Sequence, residues 1–106
     1  MTRKHMSYLV YILKCSDNSY YVGITNNVEK RVWEHNQGIV RGYTFKRKPV
    51  RLVYFQEFKD VNEAIAFEKQ LKGWRRVKKE ALINKNIDKL KKLTKGYNSH
   101  PSSSSG

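Results

Sequence analysis

The chain has a single cysteine, Cys15, among its 106 residues. One thiol cannot close an intramolecular disulfide, and without clustered cysteines a thiolate zinc site is excluded. Long apolar runs are also missing, because the longest β-rich apolar stretch covers residues 8–13. That stretch is much too short to span a membrane and short for the apolar part of a secretory signal. These absences predict a reduced, soluble, cytoplasmic protein.

Acidic residues are scarce. Asp and Glu number 9 against 22 Lys and Arg, which gives a net charge of +13. Such an excess predicts a polyanionic partner, and nucleic acid is the first candidate because neutralised phosphates release counterions. An anionic membrane surface is the alternative, and it would use an amphipathic basic helix such as residues 81–93. That segment is more simply a helix packed on its own domain, so we expect nucleic-acid binding and no membrane.

The length of the chain suits one compact domain. We expect this domain to cover residues 7–95, after a basic N-terminal lead at residues 1–6. Residues 96–106 contain Pro101 followed by four serines, a composition that predicts a disordered C-terminal tail.

Apolar patterning predicts three strands and at least three helical segments. The strands cover residues 8–13, 20–24 and 50–58, and the helices cover 27–37, 61–72 and the Lys-rich remainder to about 95, with a break near 84–86. The order β-β-α-β-α-α predicts an α+β fold in which helices flank a three-stranded, mainly antiparallel sheet.

The turn between the first two strands decides where two tyrosines point. With a two-residue loop at residues 17–18, Tyr11 and Tyr21 would lie on opposite faces of the sheet, because side chains alternate with period two. With a three-residue loop at residues 17–19 they share a face. Asn18 tolerates the left-handed conformation that such a loop requires, so the sequence is compatible with a shared face.

Three polar residues occupy unusual positions on the predicted helices. Arg31 and His35 are four residues apart and therefore share one helix face, on the side that meets the sheet. Glu68 falls in the middle of the apolar arc of the second helix, where a carboxylate needs a partner. An ion pair with a neighbouring Lys or Arg would satisfy it, and so would a hard divalent cation such as Mg²⁺. The tyrosines, Arg31 and His35 also have a purely structural interpretation as packing residues.

Basic residues bracket these positions along the chain. The candidates for nucleic-acid binding are Lys46, Arg47, Lys48, Arg51, Lys72, Arg75 and Arg76. Such runs are often only solvated faces, but here they alternate with the aromatic residues Tyr43, Phe45 and Trp74, on which bases could stack. No element clearly reads base edges, which favours recognition of shape over sequence.

Taken together, Tyr11, the run Tyr21-Val22-Gly23, Arg31, His35 and Glu68 resemble the GIY-YIG nuclease superfamily over roughly residues 7–84. The chain is similar to the small, stand-alone, single-domain bacterial members. Its first motif reads Leu9-Val10-Tyr11 where the family has Gly-Ile-Tyr. Many members also carry an asparagine after the glutamate, for which Asn84 and Asn86 are both candidates here.

The resemblance implies a metal-dependent, structure-selective DNA endonuclease that hydrolyses phosphodiester bonds through an activated water. It implies that Tyr11 handles the attacking water and that Tyr21 orients this water or contacts the phosphate. It also implies that Arg31 stabilises the charge on the phosphate and that His35 assists proton transfer. Glu68 would bind one weakly held Mg²⁺ or Mn²⁺ ion. Branched or single-stranded DNA is the expected partner, in repair or recombination. The alternatives are a nucleic-acid-binding module with the nuclease fold but little or no activity, and an interaction protein for an acidic partner.

Overall fold

The computed structural model describes residues 7–85 and confirms the predicted order of elements and the α+β class. The elements are β1 (Tyr8–Lys14), β2 (Tyr20–Thr25), α1 (Val28–Asn36), β3 (Arg51–Phe58), α2 (Val61–Lys72) and α3 (Arg76–Lys85). Helix α3 continues through Asn84, so the predicted break does not begin there. The predicted N-terminal lead, the C-terminal tail and the helical residues beyond 85 lie outside the described residues. Within residues 7–85, no helix is both long and apolar enough to cross a membrane.

Strand β1 lies at the centre of an antiparallel sheet of order β2-β1-β3. Both of its faces are covered, which explains its continuous apolar sequence. One face packs against α2 and α3 through Val10, Ile12, Val22, Ala64, Leu71 and Ile83. The other face packs against α1 through Tyr11, Leu13, Cys15, Val28 and Val32.

The hairpin between β1 and β2 has the three-residue loop that brings the tyrosines to one face. The backbone N–H of Cys15 donates to the carbonyl of Ser19 at 2.8 Å, which leaves residues 16–18 as the loop. The loop therefore lies one residue earlier than predicted. Asn18 is the residue with a left-handed backbone, at φ 72°, in the third loop position where this hairpin type needs it. Tyr11 and Tyr21 both pack in the cluster on the α1 face, as the three-residue loop requires.

Helix α1 is held at both ends by asparagine side chains. Asn27 caps its start, where Oδ1 accepts from the N–H of Lys30 at 3.1 Å. At its end, Asn36 donates to the carbonyl of Val50 at 3.0 Å and accepts from the N–H of Val50 at 2.7 Å. These paired bonds fix the last turn of α1 against the residue that precedes β3. The same turn carries His35, so the position of His35 over the sheet is set by the backbone of Val50, just before β3.

Candidate active site

Tyr11 lies at the centre of the candidate site, on the middle strand, and is 1% exposed. Its ring crosses over Gly23, the residue paired with it on β2. A Cβ atom at Gly23 would lie 2.5 Å from Cζ of Tyr11 and closer still to the hydroxyl. That separation is far inside van der Waals contact, so only glycine leaves room for the phenol. The glycine at this position therefore has a specific cause, the ring of Tyr11.

Tyr21 and His35 complete an aromatic group around the Tyr11 hydroxyl. The hydroxyl lies 3.0 Å from Nε2 of His35. The ring of Tyr21 meets the imidazole edge to face, with 5.1 Å between centroids, and its centroid lies 6.3 Å from that of Tyr11. The two strands and α1 thus bring together three of the five predicted site residues.

His35 is fully buried and hydrogen-bonded through both ring nitrogens. Besides the contact with Tyr11, Nδ1 lies 2.7 Å from Oγ1 of Thr44, which is itself 1% exposed. Burial lowers the pKa of His35, and the positive charge of Arg31 lowers it further. The imidazole is therefore neutral at pH 7 and carries one N–H. One nitrogen donates and the other accepts.

Arg31 lies beside the same hydroxyl. Burial raises the pKa of Tyr11 to about 12, and the hydrogen-bonding influence of Arg31 opposes that rise. The guanidinium also donates from Nη1 to Glu34 at 3.1 Å, and its side chain is 37% exposed. Its Nε is buried and has no hydrogen-bond partner among the described residues. An unsatisfied buried donor costs about 1–3 kcal/mol, which is typical of a site that a ligand completes.

The chemistry of these groups favours one direction for the protons, in which the phenol is the donor to His35. Arginine can only donate, so the influence of Arg31 on the pKa of Tyr11 acts on the phenol oxygen. The buried phenol keeps its proton at neutral pH, and Nε2 of His35 is the acceptor within reach. His35 then carries its proton on Nδ1 and donates it to Thr44. The resulting chain runs from Arg31 through Tyr11 and His35 to Thr44, with Nε2 poised to accept a proton.

Glu68 approaches from α2, on the other face of the sheet. Its side chain is 16% exposed, and Oε2 lies 3.1 Å from Nζ of Lys72. Its negative charge is close enough to contribute to the raised pKa of Tyr11. Of the two partners expected for this carboxylate, the structure shows the ion pair with a neighbouring lysine.

Residues 7–85 contain no group of three or more His, Cys, Asp or Glu side chains that could surround a metal ion. An ion on Glu68 would therefore take its other ligands from water and substrate, an arrangement that Mg²⁺ accepts. Of the two candidate asparagines, Asn84 is exposed near the end of α3, and Asn86 lies outside the described residues.

The predicted nucleic-acid contacts fall into two groups. Lys46, Arg51 and Arg75 are exposed, and Lys48 stacks its ammonium over Phe45 at 4.7 Å. The other three have carboxylate partners: Arg47 binds Asp17, Lys72 binds Glu68 and Arg76 binds Glu80. Trp74 packs against the core and under Lys78, so this aromatic is partly occupied by the protein itself.

Two residues of the loop between α1 and β3 contact the site: Thr44, which the sequence did not single out, and Tyr43, which it indicated only as a surface for stacking bases. Thr44 binds His35, and Tyr43 stacks on Tyr21 with 6.1 Å between ring centroids. The loop has no periodicity from which its side chains could be placed. A small hydroxyl beside two aromatic residues is the one signal, and it is common in exposed loops as well.

A family model of the GIY-YIG catalytic domain matches residues 7–81. The match covers all five predicted site residues and most of the chain. The chain belongs to the GIY-YIG family. Its membership implies nuclease activity with DNA as the substrate, while the individual roles of the site residues remain predictions.

Small proteins of the UPF0213 group are among the relatives of this GIY-YIG chain. A UPF0213 protein from Clostridium perfringens is 45% identical over 89 residues, which are 84% of this chain and 96% of that protein. One from Haloquadratum walsbyi is 44% identical over 79 residues, 74% of this chain and 89% of that protein.

Solved structures show the same similarity. The solution NMR structure of the UPF0213 protein from Bacillus halodurans is 37% identical, with a TM-score of 0.55, over 84% of this chain and 95% of that one. A protein from E. faecalis, also solved by NMR, is 32% identical, with a TM-score of 0.54, over 94% of this chain and 100% of that one. The chain therefore spans nearly the whole length of its GIY-YIG relatives.

Proposed function

We propose that this chain is a metal-dependent, structure-selective DNA endonuclease that hydrolyses phosphodiester bonds through an activated water. The observation that supports the proposal is the convergence of Tyr21, Arg31 and His35 around the hydroxyl of Tyr11, with Glu68 nearby. A buried phenol, a neutral imidazole and a guanidinium in contact are an expensive arrangement for a purely structural core. They are well suited to phosphoryl chemistry.

Arg31 is the residue proposed to bind the scissile phosphate. Its half-exposed guanidinium has a buried, unpartnered Nε, and its planar fork matches two phosphate oxygens. Charge that develops on the phosphorane oxygens would be stabilised by a donor already in place. Tyr21, at the edge of the same group, orients the water or contacts the phosphate.

Tyr11 and His35 are proposed to move the proton of the attacking water. As the water oxygen bonds to phosphorus, its proton passes to the oxygen of Tyr11, and the phenol proton passes to Nε2 of His35. The P–O bond to the leaving strand then breaks, and the charge on the leaving oxygen is neutralised by a proton from water. A phenol with a pKa near 12 accepts a proton poorly unless its own leaves at the same time, which the hydrogen bond to His35 allows.

Glu68 would hold the ion, Mg²⁺ or Mn²⁺, by one carboxylate. When bound, such an ion polarises the phosphate and lowers the pKa of its water. The single protein ligand implies weak binding without DNA. Lys72, which now pairs with Oε2 at 3.1 Å, would have to share or release the carboxylate.

Branched or single-stranded DNA is the proposed substrate, in the cytoplasm, in repair or recombination. The exposed cations Lys46, Arg51 and Arg75 and the half-buried Lys48 would contact phosphates. Arg47, Lys72 and Arg76 would contribute where their ion pairs open. Contacts of this kind recognise the shape of the DNA backbone and do not read the base sequence.

Incubation with Mg²⁺ or Mn²⁺ and a panel of linear, single-stranded, flapped and branched DNA tests the proposal. We expect cleavage of at least one substrate, and its loss in Glu68→Ala and Tyr11→Phe. Cleavage by both variants at the parental rate would refute the enzymatic mechanism.

The same panel of substrates also tests the alternative, a nucleic-acid-binding module without catalytic activity. The ion pair between Glu68 and Lys72 is the observation that favours it, because a carboxylate already neutralised needs no metal. Salt-dependent binding to all forms of DNA, without cleavage under any metal, would establish the module.

A further inference from the structure

The loop between α1 and β3 touches the candidate site at two adjacent residues. The ring of Tyr43 stacks on Tyr21 at an interplanar angle of 24°. The hydroxyl of Thr44 lies 2.7 Å from Nδ1 of His35. One short stretch of backbone, residues 43–47, thus bears on two of the site's aromatic residues, and we call it the brace.

Arg47 holds the brace together from within. Its Nη1 donates to the carbonyl of Tyr43 at 2.8 Å, and its guanidinium lies over the ring of Tyr43 at 3.9 Å. The backbone N–H of Arg47 donates to the carbonyl of Thr44 at 2.9 Å. The guanidinium therefore lies over the ring of Tyr43 while Tyr21 stacks against it, and these two contacts hold a side chain that is still 43% exposed.

Arg47 also fastens the brace to the hairpin loop between β1 and β2. Its Nε donates to Oδ2 of Asp17 at 3.0 Å. Its carbonyl accepts from both the backbone N–H and the hydroxyl of Ser16, at 2.9 and 3.0 Å. The hairpin joins the strands that carry Tyr11 and Tyr21, so Arg47 links the brace to the same hairpin that positions both tyrosines.

We propose that Arg47 is a positioning residue, which acts through Tyr43 and Thr44 to fix the rings of Tyr21 and His35 for cleavage. The inference rests on the proposed function. It differs from the expectation that Arg47 contacts a DNA phosphate, because three separate interactions already fix its guanidinium. A lysine cannot reproduce them, since a single ammonium lacks the planar fork of donors.

The consequence for catalysis is a change in rate more than in affinity. Misplacement of a catalytic group by about 1 Å can cost about 100-fold in rate. A lost phosphate contact instead weakens binding and reduces the slope of log affinity against log salt by about 0.9 for duplex DNA. Positioning by Arg47 therefore predicts a lower kcat in its variants, whereas a phosphate contact predicts weaker binding and a smaller salt slope.

The deciding variants are Arg47→Lys and Asp17→Asn, assayed for kcat, KM and the salt dependence of binding. Arg47→Lys keeps the charge and breaks the brace, and we expect kcat to fall about 10- to 100-fold with little change in KM or salt slope. Asp17→Asn keeps the side-chain oxygen that accepts from Ser19 but removes the charge that binds Arg47. For a phosphate-binding Arg47, this variant would bind DNA more tightly and cleave at least as fast. The brace predicts slower cleavage.

Two other lysines supply the comparisons. Lys59 follows β3 at the end of the sheet away from the hairpin, so Lys59→Ala removes one charge without touching the brace and should retain the parental kcat. Lys46→Ala, within the brace segment but exposed, removes a proposed phosphate contact and should raise KM and reduce the salt slope. Parental kcat in both Arg47→Lys and Asp17→Asn would overturn the inference.

Solution NMR separates a failure of the brace from a failure of the proposed function. In the parent, cross-relaxation should connect the ring of Tyr21 with those of Tyr43 and His35, whether or not the protein cleaves DNA. These signals should weaken in Asp17→Asn and persist in Lys59→Ala. Their persistence in Asp17→Asn would refute the brace even if no substrate of the parent is found.

Discussion

Replacing Gly23 with alanine adds one methyl group at the most crowded point beside the Tyr11 phenol. The new Cβ would lie 2.5 Å from Cζ of Tyr11, whereas ordinary contact begins at 3.4 Å. One of the two must retreat by roughly 0.9 Å, the difference between these distances. Tyr11 has little freedom to do so, because it is buried on the central strand with a partner strand on each side.

The displacement sets the size of the effect. Overpacking of this kind lowers the free energy of unfolding by about 1–3 kcal/mol. A phenol moved by nearly 1 Å from its productive position should lower kcat by about 100-fold. We expect Gly23→Ala to remain folded and to lose most of its cleavage activity, with a smaller change in DNA affinity.

Thermal unfolding and single-turnover cleavage measure these two effects separately. Gly73→Ala is the matched control, because a Cβ there lies 3.6 Å from the nearest atom, in ordinary contact. If Gly23 acts through Tyr11, adding Gly23→Ala to Tyr11→Phe should lower kcat no further, which is the non-additivity expected of residues in contact. Parental kcat in Gly23→Ala would refute the reasoning, and so would full additivity in the double variant.

Thr44→Val leaves Nδ1 of His35 unpaired at a cost of about 1–3 kcal/mol, so the melting temperature should fall and kcat should fall about tenfold. Thr44→Ser keeps the hydroxyl and should restore both. A kcat that Thr44→Ser fails to restore would contradict the role of this hydrogen bond. Because the pKa of His35 is depressed in the folded state, the unfolded chain binds the extra proton as the pH falls through about 6.5. The free energy of unfolding measured by calorimetry should then decrease from pH 7 to 5, and it should decrease less in His35→Gln. An equal pH dependence in parent and variant would argue against a neutral buried imidazole. Lys72→Ala removes the partner of Glu68 and should lower the Mg²⁺ concentration for half-maximal cleavage about two- to fivefold, the range of a partly exposed ion pair. An unchanged Mg²⁺ concentration would indicate that Glu68 does not bind the metal.

Local rules were sufficient to predict the strand positions, and they left two faces open for the tyrosines according to the length of one loop. Strand alternation has period two, so any loop with an odd number of residues brings Tyr11 and Tyr21 to the same side. The sequence misplaced that loop by one residue without changing its parity. Helical periodicity similarly placed Arg31 and His35 toward the sheet.

The partners of charged residues could not be predicted in the same way. Glu68 and Lys72 are four apart on one helix, and so are Arg76 and Glu80, but spacing alone does not distinguish a formed ion pair from two free charges. Arg47 meets Asp17 across 30 residues of chain, through a loop with no repeating pattern. Contacts of that range follow from the tertiary fold, which is why the brace was missed.

The engagement of both nitrogens of His35 bears on which metals the site could accept. In a neutral imidazole bonded at Nε2 to Tyr11 and at Nδ1 to Thr44, the single lone pair is already engaged in a hydrogen bond. Zn²⁺, Ni²⁺ and Cu²⁺, which favour nitrogen and sulfur ligands, would meet only the carboxylate of Glu68 there, the ligand type suited to Mg²⁺ and Mn²⁺. If Glu68 binds an ion as proposed, the hydrogen bonds of His35 therefore withhold from it the nitrogen ligand that Zn²⁺, Ni²⁺ and Cu²⁺ favour.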